Sequence, residues 1–366
     1  MNLMTGSTSY AMLQKKYDDF LNPSLELTID STKLVKGKEA EIEQLQIDLT
    51  SGFEASGCEF VISSCYDNKK NEFDSTISTC LQVGAKAEIE IGYRKKKESV
   101  FTGYVDNVTY EFSQDDSPKI RVRCMDAKGI LMKNRRLEVF REKRADAVVS
   151  ALLSEQPVSG YLSGKTVDRC SNEDVPLRSG MKTDYDIVRE QAEKMGFEFF
   201  IIQGKAYFQK AEKNKTPVMT LEPSNRILEV YSSVNGNPLV ETIEVRSIDD
   251  KNGKLIQGSA AMRGKFSKGM TANKLMRSTA QVFYEAGISS AAEAKKRATV
   301  RMEAMKSKFG SLELTCVGIP ELVPGRYISL SKFSSAINGK YYVTNVTHDF
   351  TESSYTTTLR ARRSSI

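Results

Sequence analysis

Three stretches decide the fold: Val83-Gly-Ala-Lys-Ala-Glu-Ile-Glu-Ile-Gly-Tyr93, Val100-Phe-Thr-Gly-Tyr-Val105 and Ile120-Arg-Val-Arg-Cys-Met125. Apolar or small residues recur at every second position: Ala87, Ile89 and Ile91, then Phe101, Gly103 and Val105, then Ile120, Val122 and Cys124. A period of two puts such side chains on one face of a strand. The phase slips at Asp106–Asn107, and Val108, Tyr110 and Phe112 carry the apolar face onward. One extra residue that shifts the phase is what a β-bulge supplies. The same alternation runs through Leu25, Leu27 and Ile29, through Leu45, Ile47 and Leu49, and through Phe60 and Ile62. Short alternating segments in series predict an antiparallel sheet with one wet face, hence a barrel or sandwich over residues 24–130.

The period changes on either side. In residues 1–23, Tyr10, Leu13, Tyr17, Phe20 and Leu21 fall on one helical face and Pro23 limits the helix. This extension docks either on its own domain or on a neighbouring chain. In residues 131–225, Ala145, Val148, Val149, Leu152 and Leu153 form a helical stripe, and a loop with Pro157, Gly160 and Gly164 follows. Thr183 with Asp186 then starts a second helix. Tyr185, Val188, Ala192 and Met195 make its buried stripe, and Gly196 is its C-terminal stop. The chain runs on into Phe197–Ile202, turns at Gln203-Gly204 and returns through Ala206–Phe208. The middle domain therefore reads as α+β, a helix packed on a hairpin.

Alternation resumes in residues 226–366, at Leu239, Ile243 and Val245, at Leu312, Leu314 and Cys316, at Tyr342, Val346 and Phe350, and at Tyr355, Thr357 and Leu359. A helix at about 290–309 interrupts it. Ser290-Ala-Ala-Glu293 reads as its capping box, and Ala294, Ala298, Met302, Met305 and Phe309 as its inner face. The Gly-, Ser- and Lys-rich stretch at about 250–288 reads as a loop or partly ordered insertion. The fold class is thus mainly β, with two β domains flanking an α+β insert.

At roughly 100–200 residues per domain, 366 residues make two to four domains. Lys+Arg 53 against Asp+Glu 47 leaves a net charge of +6, too small for a chain built to coat nucleic acid. The basic runs are Arg94-Lys-Lys-Lys97, Arg135-Arg136, Arg141 with Lys143-Arg144, and Lys295-Lys-Arg297. None has the interleaved aromatics of a nucleic-acid platform. The first reads as a hairpin tip and the third as the outer face of an amphipathic helix. Six cysteines, none spaced C-x-x-C, read as reduced, buried thiols. No run is long and apolar enough for a membrane span, and the first twenty residues lack the pattern of a signal peptide. The expected place of synthesis is a cytoplasm.

Chemistry is harder to find. No phosphate loop, dinucleotide fingerprint, zinc-protease helix or nucleophile elbow is present. The single histidine, His348, lies on a strand whose neighbour Asp349 points to the opposite face. Asp184 with Asp186, and Glu190 with Glu193, read as helix-dipole partners and a solvated face. No cofactor, metal or catalytic residue is assigned, and an enzyme is not expected.

Architecture carries a resemblance. The first group of strands, the helix Thr183–Met195 entering Gly-Phe-Glu-Phe, and a third group resemble, in that order, the phage late control protein D family. The third group is Pro324-Gly-Arg-Tyr-Ile-Ser-Leu330, Ile337-Asn-Gly-Lys-Tyr-Tyr-Val-Thr-Asn-Val-Thr-His348 and Tyr355-Thr-Thr-Thr-Leu359. These are baseplate hub proteins of contractile tails, related to the hub part of type VI secretion VgrG proteins. Gly103 sits where a strand bends, and Gly325 and Gly339 belong to the turn dipeptides Pro324-Gly325 and Asn338-Gly339. The resemblance implies two tube-protein-like barrels per chain and a homotrimeric ring. It implies as partners a separate spike protein, the tail tube or its initiator, and other baseplate proteins. It places the chain in a virion or particle baseplate assembled in a bacterial cytoplasm. A tail-associated cell-wall hydrolase and a β-rich adhesin are the alternatives, and zero tryptophans argue against the second.

Overall fold

A computed structural model describes residues 2–34, 41–114, 116–137, 139–140, 144–170, 177–178, 180–237, 239–250, 252–262 and 272–364. Arg141 and Lys143 of the third basic run lie outside the described residues. In the first part of the chain the labelled elements are α1 (Tyr10–Lys16), β1 (Pro23–Ile29), β2 (Glu41–Thr50), β3 (Gly57–Ser63), β4 (Lys86–Tyr93), β5 (Lys96–Glu111) and β6 (Lys119–Met125). The middle part has α2 (Lys128–Lys133), α3 (Ala145–Leu152), β7 (Gly164–Val167), α4 (Asp184–Met195), β8 (Phe197–Ile202), β9 (Lys205–Lys210) and β10 (Pro217–Leu221). The last part has β11 (Ile227–Val234), β12 (Thr242–Ile248), β13 (Leu255–Ala261), β14 (Ala280–Tyr284), α5 (Ala291–Lys306), β15 (Gly310–Val317), β16 (Tyr327–Leu330), β17 (Gly339–Thr351) and β18 (Tyr355–Arg363).

The fold is mainly β, as the alternation predicts. Ala87, Ile89 and Ile91 on β4 are buried while Glu88 and Glu90 between them are exposed. β5 is 16 residues long and serves two partners. Its first half pairs with β4 and its second half with β6, and the register breaks between Val105 and Asn107. The phase slip read at Asp106 is thus the bulge at which the strand changes partner.

The two β segments share one sheet. It runs β11-β15-β18-β17-β2-β3-β6-β5-β4-β1, with β17 antiparallel to β2 from Asn345↔Thr50 to Thr351↔Gln44. One apolar core continues across that seam, from Ile47 and Phe60 to Val346, Leu359 and Leu314.

The middle region packs α4 on the β8–β9 hairpin, which turns at Gln203 and Gly204, and adds β7 parallel to β9. Of the region read as a loop at about 250–288, residue 251 and residues 263–271 lie outside the described residues, and the reading of the rest needs correction. β12, β13 and β14 form a separate three-stranded sheet under α5, with a core of their own that includes Ile243, Val245, Ala298 and Met302. β12 therefore belongs to this module and not to the large sheet. The small residues of β13 reflect packing: a Cβ on Gly258 would lie 2.2 Å from the backbone nitrogen of Lys295 on α5. The capping box is also displaced. Ser290 accepts from the N–H of Glu293, but the Glu293 carboxylate accepts from the N–H of Ser289 at 3.0 Å.

The N-terminal extension docks on its own chain. Tyr10, Leu13, Tyr17 and Phe20 are buried, Tyr17 and Phe20 against Tyr93. Leu21 is not on that face. Asp18, Asp19 and Phe20 take positive φ after α1, and this twist turns Leu21 outward to 49% exposure.

Candidate functional site

Eight strands, β11-β15-β18-β17-β2-β3-β6-β5, form an unbroken antiparallel series. Among the described residues nothing pairs with the outer edge of β11, nor with the free edge of β5 beyond its bulge. Both edges carry exposed apolar side chains. Leu228 and Tyr231 are 61% and 64% exposed on β11, and Tyr110 and Phe112 are 46% and 64% exposed at the end of β5. Unpaired edges of this kind are templates for another strand.

One face of these eight strands is core and the other is polar. Neighbouring side chains on the polar face bond across strands. Arg360 Nε donates to Glu313 at 3.0 Å, and the Thr315 and Thr358 hydroxyls lie 3.0 Å apart. The Thr347 hydroxyl donates to Asp48 at 2.6 Å. Arg121 pairs with Glu59 at 2.8 Å and with Glu111 at 2.6 Å. Cross-strand pairs of this sort fix register and neutralise charge on a wet surface. Among the described residues this face carries no apolar stripe for a second layer to cover.

The residues singled out in the sequence fall elsewhere. Tyr185, Val188 and Ala192 are buried against the hairpin, and Met195 is half-buried. Gly196 caps α4 in the left-handed region at φ 68°, and a Cβ there would lie 3.1 Å from Val300 on α5. A Cβ on Gly103 would lie 2.1 Å from the Met125 carbonyl oxygen, so close approach of β5 and β6 requires glycine. Gly325, at φ 81°, faces the Phe200 ring and lets the second β segment contact the middle domain. Gly339 opens β17 at φ 140°.

Asp184 lies with Asp186 in the first turn of α4, where the dipole reading puts it. It is buried, takes both Nε and Nη2 of Arg136 at 2.6 and 2.7 Å, and accepts from the Asn134 amide at 2.6 Å. Asp186 does close a capping box with Thr183, whose hydroxyl holds the Asp186 carboxyl below its ordinary range. His348 is sealed in the core with Nδ1 2.9 Å from the Tyr355 hydroxyl and 3.0 Å from that of Thr357. Burial pushes its imidazole down to about 3. No helix among the described residues is long and apolar enough to cross a membrane.

Three polar residues with little or no exposure escaped the sequence reading. Arg326 is fully buried and donates to the Gly6 carbonyl at 2.8 Å and to that of Leu3, tying down the N-terminal segment. Glu321 takes the Tyr17 hydroxyl at 2.8 Å and Lys16 at 2.7 Å. Glu198 on β8 accepts from the Tyr342 hydroxyl with Arg362 3.7 Å away, and burial pushes its carboxyl up to about 7. The only local signal for Arg326 was a charge inside the apolar run Gly318–Leu330.

Solved tail proteins share this architecture. The 43 kDa tail protein of prophage MuSo2 from Shewanella oneidensis is 12% identical, with a TM-score of 0.72 over 93% of this chain and 98% of that one. A tail protein from Neisseria meningitidis MC58 is 12% identical, with a TM-score of 0.69 over 93% and 97%. An E. coli component of the type VI secretion system is 11% identical, with a TM-score of 0.56 over 92% and 76%. The fold is that of tail proteins. No curated protein matches the sequence. The family matched by sequence is not the late control protein D family, whose three motifs stay a resemblance. A sequence model of the Alg8 N-terminal domain matches residues 28–352, and the chain belongs to that family.

Proposed function

We propose that the chain is a structural hub subunit of a contractile injection machine, acting without catalysis. Three copies close a ring by pairing the free edge of β11 on one chain with the free edge of β5 on the next. The observation that carries this reading is the unbroken antiparallel series of eight strands with an open edge at each end. In such a series an even number of strands makes the terminal strands run in opposite directions. Rotation about the ring axis preserves strand direction, so every junction between chains is again antiparallel. The two edges are different surfaces, which makes the contact head-to-tail, and head-to-tail contacts generate a ring where the rotation closes. The polar, charge-paired face then lines an axial passage. The fold of the tail proteins and the late control protein D motifs support this reading. A separate spike and the tail tube or its initiator are the axial partners, together with other baseplate proteins, in a particle assembled in a bacterial cytoplasm.

Cross-linking tests the ring. Tyr231→Cys and Thr109→Cys, combined in a Cys80→Ser background, place one thiol near each open edge. In assembled particles a short bismaleimide gives a covalent three-chain species. Particles that yield only single chains contradict the pairing.

A further inference from the structure

Cys58 on β3 and Cys124 on β6 are direct register partners on adjacent antiparallel strands. Both are sealed from solvent, with Ile47 and Val105 as their partners on the strands beyond. Burial pushes the Cys58 thiol up, and the next contributor is the sulfur of Cys124 beside it. Cys65, Cys80 and Cys170 instead turn to backbone carbonyls, at 3.6, 3.2 and 3.9 Å. Cys316 has Ile227 and Thr357 as register partners. All six are free thiols. Cross-strand partners hold their Cβ atoms about 4.5–5.5 Å apart, and a disulfide needs about 3.5–4.5 Å. A pinch of roughly 1 Å between β3 and β6 closes the gap.

We propose that Cys58 and Cys124 are a redox-responsive brace, a dithiol in reducing surroundings that closes to a cross-strand disulfide in oxidising ones. The oxidant is a small-molecule disulfide. One protein thiolate attacks it, forms a mixed disulfide and releases one thiolate. The second protein thiolate then attacks the protein sulfur of the mixed bond and expels the other. Two protein thiols are oxidised to one disulfide, one small disulfide is reduced to two thiols, and the protons pass to those leaving thiolates. The pinch strains the bond and keeps it reducible. Burial makes the thiolate scarce in the native state, so exchange is fastest while the strands are open during folding.

The test is refolding of the full chain from urea in a glutathione buffer rich in the oxidised form, followed by alkylation, digestion and mass spectrometry. One dominant link joins the peptides carrying Cys58 and Cys124 and is reversed by dithiothreitol. It survives Cys65→Ser, and the oxidised chain unfolds at higher urea than the reduced one. Recovery of both residues as free thiols in the oxidised, folded chain overturns the proposal. So does a Cys58 linked equally to other cysteines, or an oxidised chain that fails to regain its β-sheet circular dichroism.

Discussion

Glu198→Gln separates a buried titration from a simple packing contact. Glu198 lies where the β8 strand of the middle domain meets β16, β17 and β18. Tyr342 on β17 donates to it, and Arg362 on β18 stands between it and Glu212 at 3.7 and 3.6 Å. Tyr327 on β16 donates to Glu212. Two carboxylates, Glu198 nearly buried and Glu212 partly exposed, thus share one partly exposed guanidinium. Desolvation lifts Glu198 from 4.5 to about 7. The folded chain then holds a proton that the unfolded chain has lost, so stability falls as pH rises from about 4.5 to 7 and levels off above. At 1.36 kcal/mol per unit the loss amounts to about 3 kcal/mol. Glutamine cannot ionise and still accepts from Tyr342. At pH 8 the variant is therefore more stable by about 3 kcal/mol, and at pH 5 by less than about 1 kcal/mol. His348 works in the opposite sense. Its imidazole is lowered from 6.5 to about 3, so its contribution to stability is lost as pH falls below 6.5. Between pH 6.5 and 5 the two slopes offset each other in the natural chain. In Glu198→Gln the histidine slope is no longer offset by Glu198 and removes about 2 kcal/mol over that interval. Urea unfolding followed by circular dichroism at pH 5, 6.5 and 8 measures this. Equal midpoints at pH 8, or a difference between the chains that does not change with pH, refute the reasoning.

Three further outcomes follow from the same structure. Val188→Asp puts an unpaired charge into the core of the middle domain and lowers stability by about 3 kcal/mol or more. Arg189→Ala, one residue on and 40% exposed, costs less than about 1 kcal/mol, so equal melting temperatures for the two variants would mean a wrong helical phase. Gly325→Ala drives a Cβ to 2.7 Å from the Phe200 ring at a positive φ and costs about 1–3 kcal/mol, read as a lowered melting temperature. His348→Ala leaves injection or killing by correctly assembled particles intact; loss of activity in such particles would point to catalysis.

Local patterns carried much of the fold. The alternation at Ala87–Ile91 and the slip at Asp106 mark strands and a bulge, because sheet burial has a period of two wherever one face is wet. The box at Thr183–Asp186 and the stop at Gly196 mark α4, because caps are made by neighbours in sequence. The β2–β17 seam was not legible, since it joins residues some 300 positions apart and no local period encodes such a pairing. The β12–β14 module was hidden by small residues that serve helix packing and read as loop composition. The burial of Asp184, Arg326 and Glu198 was not legible for one reason. A charged residue is ordinarily exposed, and only the packed structure supplies the guanidinium, carbonyls or tyrosine that hold it inside. Which strands carry the open edges was not legible, because strand order is set by long-range pairing.

Electron microscopy of the hub layer in assembled particles tests the ring most directly. The account predicts three chains around the axis, each giving eight strands to one continuous barrel, with β11 beside β5 of the next chain at each junction and the Arg360–Glu313 and Arg121–Glu59 pairs facing the lumen. A layer of six separate chains, or of two, or one in which β11 and β5 face solvent, contradicts it.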